Sequence, residues 1–318
     1  MADIIQQPKF LMTINSIQPH SESTERNFSG VLFLKKPAAT ENLIEWYSSK
    51  IAGVPFALRN LLTFQRVNIR SLAVFMEDSQ GDLEKLSDKI LKDSRISQNI
   101  VWIGNILQLK EWIQNNPNQV YIFNGSVLHD KNKLNRLINA LPQNEKETLE
   151  TFPVNLENLL LNDQNDLVIS PATKSSEKPQ TGLPIYVQGS KEAEIQKRED
   201  FKTLHEGQLK GSGLNHDSPI TRIFSRPVSR LLTRMFLKIP ISPNQITLIS
   251  FSLGLLSAFF FIQGSYSTSV FAALFLVLST WVDGADGEIA RLKFMETDIG
   301  KKLDIYCDNI IHFFIFIA

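Results

Sequence analysis

Asp283-x2-Asp286-Gly287-x2-Ala290-Arg291-x8-Gly300-x3-Asp304-x3-Asp308 is the stretch that decides how this chain is built. Eight residues at fixed offsets coincide by chance on the order of once in 10⁹ start positions. On a helix, Asp283 and Asp286 share a face that Gly287, Ala290 and Arg291 continue. Gly300, Asp304 and Asp308 step by four and form a second stripe on the next helix. Two helices facing each other along these stripes would bring four carboxylates together. Small residues at Gly287, Ala290 and Gly300 would let a ligand or the opposing backbone come close.

The apolar runs around this stretch predict a membrane bundle. Ile246–Ile262 and Tyr266–Val282 are each close to the roughly 17–25 residues needed to span. The connection between them, Gln263 to Ser265, is short and uncharged, and a third apolar run follows Asp304. Four carboxylates near a bilayer need a countercharge. A hard divalent cation, Mg²⁺ or Mn²⁺, is the least costly one and is commonly shared with substrate phosphates. Arg291 adds a planar fork for phosphate oxygens. These are the working parts of phosphoryl transfer.

The eight positions match, without a gap, the signature of the CDP-alcohol phosphotransferase family, and Pro243-Asn244-x2-Thr247 resembles that family's first transmembrane entry near the nucleotide. The resemblance covers about residues 215–318. It implies transfer of a phosphoalcohol group from a CDP-alcohol to an acceptor alcohol with release of CMP, in phospholipid or related phosphodiester synthesis. In that scheme Asp283, Asp286 and Asp304 hold one or two divalent ions. Asp308 is the candidate base, and metal ligation by Asp308 is equally open. Arg291 stabilises charge on the phosphates, and Gly287, Ala290 and Gly300 leave room for the cytidine diphosphate. Asn244 and Thr247 approach the nucleotide, although both also suit helix capping at a membrane surface. Members are commonly homodimers with more membrane helices than are present here. A C-terminally truncated chain is therefore expected, inactive as a fragment. Cys307 and His312 are expected to pack rather than react.

With 33 basic and 33 acidic side chains the net charge is zero, which argues against a nucleic-acid partner. One cysteine excludes an intramolecular disulfide and fits a cytosolic face. Met1–Phe10 is mixed polar and does not read as a secretory signal. Basic residues flank the two spans on the side of the aspartates and are missing from the short turn, so the N-terminal region and the site are expected in the cytosol. Arg222, Arg226, Arg230, Arg234 and Lys238 recur every four residues among apolar ones. That predicts a basic amphipathic helix within 217–240, started at Asp217 or Ser218 and Pro219 and suited to an anionic membrane surface. Arg230 is a candidate contact for an acceptor phosphate.

Upstream, 1–170 reads as an α/β domain with a largely parallel sheet. Candidate strands are Gly30–Leu34, Ser71–Phe75, Ile100–Ile103, Val120–Phe123 and Leu167–Ser170. Helical periods fill Glu41–Ile51, Phe56–Val67 and Asp82–Leu91. Residues 171–216 are expected to be linker and charged helix, with 241–318 the transmembrane domain. The layout is similar to a sugar-nucleotidyltransferase, with Ala52-Gly53-Val54-Pro55 and Arg59-Asn60 resembling the segment after the substrate lysine. A fusion of this kind resembles the bifunctional inositol-phosphate cytidylyltransferase/phosphotransferase proteins, which points weakly to a polyol phosphate acceptor. The chemistry of the domain looks degenerate. Leu34-Lys35-Lys36-Pro37 stands where a glycine-rich phosphate loop belongs, and Asn124-Gly125-Ser126 stands where a metal-binding aspartate belongs, with Asp130 a few residues late. Rival readings of the whole chain are a non-catalytic membrane scaffold and a divalent-cation transporter.

Overall fold

The computed structural model describes residues 28–36, 42–69, 71–77, 81–96, 99–116, 119–140, 151–154, 159–161, 167–169, 185–188, 194–212 and 225–318. The α/β domain runs β1 (Phe28–Phe33), α1 (Leu43–Ser48), β2 (Lys50–Ile51), β3 (Val54–Pro55), α2 (Phe56–Arg66), β4 (Ser71–Phe75), α3 (Asp82–Leu91), β5 (Ile100–Ile103), α4 (Ile106–Gln114), β6 (Gln119–Asn124), α5 (Lys131–Ala140), β7 (Thr151–Val154), β8 (Leu159–Leu161), β9 (Leu167–Ile169) and β10 (Ile185–Gln188). The helical part follows as α6 (Arg198–Gly211), α7 (Arg226–Leu237), α8 (Pro243–Ile262), α9 (Tyr266–Lys293) and α10 (Asp298–Ile317).

The main sheet has the order β5-β4-β1-β6-β10-β7, parallel except for the edge strand β7. Alternate residues of its strands face opposite ways, as the pleat requires. Leu32, Leu72, Val74, Tyr121 and Phe123 enter one cluster with α1, α2 and α3. Val31, Phe33, Ala73, Phe75 and Ile122 enter another with α4. Helices on both faces make β1 buried along its whole length. Each fully buried Leu, Val or Phe contributes roughly 1.5–3 kcal/mol.

Two expectations need revision. The sheet extends past residue 170, because β10 lies between β6 and β7, while β9 pairs with β8 in a separate two-stranded sheet. The helix expected over Glu41–Ile51 spans Leu43–Ser48, because the Asn42 side chain caps it and the chain then enters the β2–β3 hairpin. Residues 171–183 of the expected linker region and the helix start expected at Asp217–Pro219 lie outside the described residues.

α8 and α9 are long and apolar enough to span a membrane. α8 begins with a capping box, Ser242 and Gln245 each satisfying the other's backbone N–H, with Pro243 in the first turn. Where α8 meets α9, the Ser257 hydroxyl donates to the Ala272 carbonyl and the Ser279 hydroxyl donates to the Ser250 carbonyl, each at 2.7 Å. α10 also packs on α8, so α8 is the common wall. A Cβ at Gly254 would meet Ile311 of α10 at 2.5 Å. Gly254→Leu is therefore expected to lower unfolding stability by roughly 1–3 kcal/mol. An unchanged melting temperature in detergent would contradict that contact.

α7 is more than a surface helix. Arg226 and Thr233 are buried against α9, where both bind the buried Glu288 carboxylate. Arg230 donates to the Lys210 carbonyl and Arg234 pairs with Glu206 of α6. Arg226, Arg230 and Arg234 thus grip protein, while Leu231 and Met235 remain exposed.

Candidate active site

Asp283 and Asp286 project from α9 and Asp304 from α10, and a carboxylate oxygen of each lies within 4.8 Å of the others. Asp308 follows one turn along α10 and stands outside this triad. The two stripes converge at these carboxylates, with α8 packed along both helices. Asp286 is buried and accepts a hydrogen bond from the Thr247 hydroxyl, whose oxygen also lies 3.2 Å from the Pro243 carbonyl. One oxygen of Asp304 is buried without a hydrogen-bond partner. A buried anionic oxygen left in that condition is costly, and a cation relieves it. Three convergent carboxylates and that oxygen fit a hard divalent ion such as Mg²⁺ or Mn²⁺.

An open cleft of about 160 Å³ lies against Asp286 and Asp304. All six residues expected near the donor line it: Asn244, Thr247, Gly287, Ala290, Arg291 and Gly300. Gly300 stands at a close approach, since a Cβ there would lie 3.0 Å from the Asn244 side chain. That contact joins the first turns of α8 and α10. The first turns are capped by Ser242 and Thr297, and the two helix dipoles add positive potential. With Arg291 and Lys301 they make one end of the cleft suited to phosphate. Arg291 Nε donates to the Ser212 carbonyl at 2.9 Å, which fixes its orientation, and its guanidinium lies beside Gly287.

Other expected residues are placed differently. Arg230 is not among the residues lining the cleft. Cys307 is buried. His312, expected to be buried, is exposed, because α10 turns Cys307 and Ile311 inward and His312 falls off that face. Met295, Glu296 and Thr297 also line the cleft and were not foreseen. They lie in the connection between the two stripes, where no periodicity marks them.

In the α/β domain, the ends of β1 and β6 meet the segment after β10. Glu194 pairs with Lys35 at 3.7 Å and accepts from Asn124 at 2.6 Å, and Ile195 N–H donates to the Ser126 carbonyl. Asn60 bonds Val127 and His129 rather than facing a ligand. With Ser126 where a metal carboxylate is expected, CTP and a polyol phosphate should release no pyrophosphate on this domain. Pyrophosphate formation would restore the cytidylyltransferase reading.

Residues 240–318 match the CDP-alcohol phosphatidyltransferase family. A bifunctional IPC transferase and DIPP synthase of Archaeoglobus fulgidus is 31% identical over 157 residues, covering 48% of this chain and 30% of the relative. Its namesake from Aquifex aeolicus is 29% identical over 153 residues, covering 48% of this chain and 34% of the relative. The chain thus matches about a third of the length of these relatives. The solved 4-diphosphocytidyl-2C-methyl-D-erythritolsynthase of Anaerococcus prevotii aligns with 57% of this chain and 98% of its own, at 13% identity and a TM-score of 0.35. Behind its α/β domain, this chain carries over residues 240–318 a domain of the CDP-alcohol phosphatidyltransferase family.

Proposed function

We propose that the protein is a multi-pass membrane transferase that moves a phosphoalcohol group from a CDP-alcohol to an acceptor alcohol and releases CMP. The observation that carries this reading is the three-carboxylate cluster bordering a cleft with two helix N-termini and Arg291. Asp283, Asp286 and Asp304 would hold one or two divalent ions. Such ions, when bound, neutralise the pyrophosphate and polarise its oxygens. The acceptor hydroxyl oxygen attacks the β-phosphorus of the donor. A new P–O bond forms there, and the bond from that phosphorus to the oxygen of the CMP phosphate breaks. Asp308 takes the hydroxyl proton. Arg291 and the N-termini of α8 and α10 stabilise the negative charge that leaves with CMP. Gly287 and Ala290 keep the cleft wall low enough for the donor.

The acceptor class is an alcohol or polyol phosphate, and the product belongs to phospholipid or related phosphodiester synthesis. Positive residues on the aspartate side of both spans support a cytosolic site and α/β domain. The test is CMP release by the protein in lipid vesicles given a CDP-alcohol and a polyol phosphate. Release that needs both substrates and stops with EDTA supports the reading. Absence of release with a panel of lipid and polyol CDP-alcohols would overturn it.

A further inference from the structure

The end of α9 is held from outside. The last carbonyls of a helix have no intrahelical donors. Here Arg59 of α2 donates to the Leu292 carbonyl at 2.6 Å, and Arg95, just after α3, donates to the Lys293 carbonyl. Arg59 is buried and is also fixed by the Ile51 carbonyl. Asp93 binds Arg95 through both carboxylate oxygens. The next residue, Phe294, has φ 58° and ψ 36°, the left-handed region. For a bulky residue this costs about 1–3 kcal/mol and persists where the surroundings impose it. The guanidinium of Arg66 lies 4.5 Å from the Phe294 ring centre and that of Arg59 lies 5.1 Å away. Arg66 also pairs with Glu296 at 2.8 Å. The β2–β3 turn seals the junction, since a Cβ at Gly53 would lie 3.2 Å from Leu237 and 3.4 Å from Lys293.

Three neighbouring arginines repel. Burial first, then Arg95 and Arg66, push the Arg59 guanidinium down to about 10. Asp93 is held below its ordinary value, chiefly by the hydrogen bond from Arg95. A depressed carboxylate contributes stability above its unfolded value and loses it as pH falls through the folded one, so acid loosens this junction. The carbonyls and the negative end of α9 are what make the crowding tolerable.

The turn held in this way leads directly into the site. Met295, Glu296 and Thr297 line the cleft, and Thr297 caps α10, which carries Gly300, Asp304 and Asp308. The direction of α10 after Phe294 sets where Asp304 stands against Asp283 and Asp286. We infer that the α/β domain is a clamp on the transferase site, with Arg66 and Arg59 as positioning residues that fix the Phe294–Thr297 turn. This inference rests on the transferase reading above. It gives the domain a role in that reaction that needs no nucleotide of its own.

The test uses the full chain in lipid nanodiscs. Arg66 is chosen because its side chain is 31% exposed and its loss spares the core. Arg66→Ala, Arg66→Lys and Glu296→Gln are compared with wild type by amide hydrogen exchange and by CMP release. In Arg66→Ala, exchange over residues 294–300 is expected to quicken roughly tenfold, from loss of an ion pair and a cation–π contact. The Mg²⁺ concentration for half activity should rise by a similar factor, with the melting temperature unchanged. Arg66→Lys should recover part of both, since it keeps the charge and loses the planar fork. Unchanged exchange over 294–300 together with an unchanged Mg²⁺ requirement would overturn the clamp. If wild type releases no CMP, the transferase reading falls, and the exchange experiment alone still decides the clamp.

Discussion

Asp286→Asn and Asp304→Asn are each expected to lower turnover by on the order of 10²–10³ while the protein still folds. The substitution keeps the shape of the side chain and removes its charge. It therefore removes one anionic ligand from a cluster whose oxygens lie within 4.8 Å of one another. Thr247→Val should cost less, about 10–100-fold, because the Thr247 hydroxyl acts on the site through Asp286. Steady-state CMP release across a Mg²⁺ series measures all three. Equal losses for Thr247→Val and Asp286→Asn would mean that Asp286 acts through Thr247 rather than on a cation. Full turnover in both aspartate variants would remove the cluster from the reaction.

Glu288→Ala is the second large effect, and it falls on stability. Glu288 is fully buried and bonded to Arg226 at 2.6 Å and Thr233 at 2.8 Å. Truncation leaves the Arg226 guanidinium buried and unpaired, which costs roughly 3–5 kcal/mol. Replacing both partners, as in Glu288→Leu with Arg226→Met, should recover most of that loss. Thermal unfolding in detergent checks the pair. A double variant no more stable than Glu288→Ala would mean that packing of α7 on α9 depends on something other than this ion pair.

Local pattern carried part of this structure plainly. β4, β5 and α3 fall where alternation and helical period put them, because each is specified by its own residues. β10 and β7 escaped notice because they are short and exist through pairing with distant strands. The cleft was legible for a different reason. Asn244, Thr247, Gly287, Ala290, Arg291 and Gly300 carry unusual chemistry at fixed offsets within apolar helices. Arg66 and Arg95 gave no such sign, and Arg59 stood out only for its likeness to a nucleotidyltransferase segment. Their contacts reach across as many as 233 residues of chain, and arginines near helix ends ordinarily face water. Glu288 was hidden inside the signature itself, as one of its unspecified positions.

The most direct measurement is anomalous diffraction from crystals of the full-length protein soaked in Mn²⁺ with a CDP-alcohol. The expected result is a peak among the carboxylates of Asp283, Asp286 and Asp304, with the donor pyrophosphate beside it and Arg291 against its phosphates. A donor bound elsewhere, or Mn²⁺ absent from these three aspartates while the donor is in place, would contradict the metal-dependent transferase site.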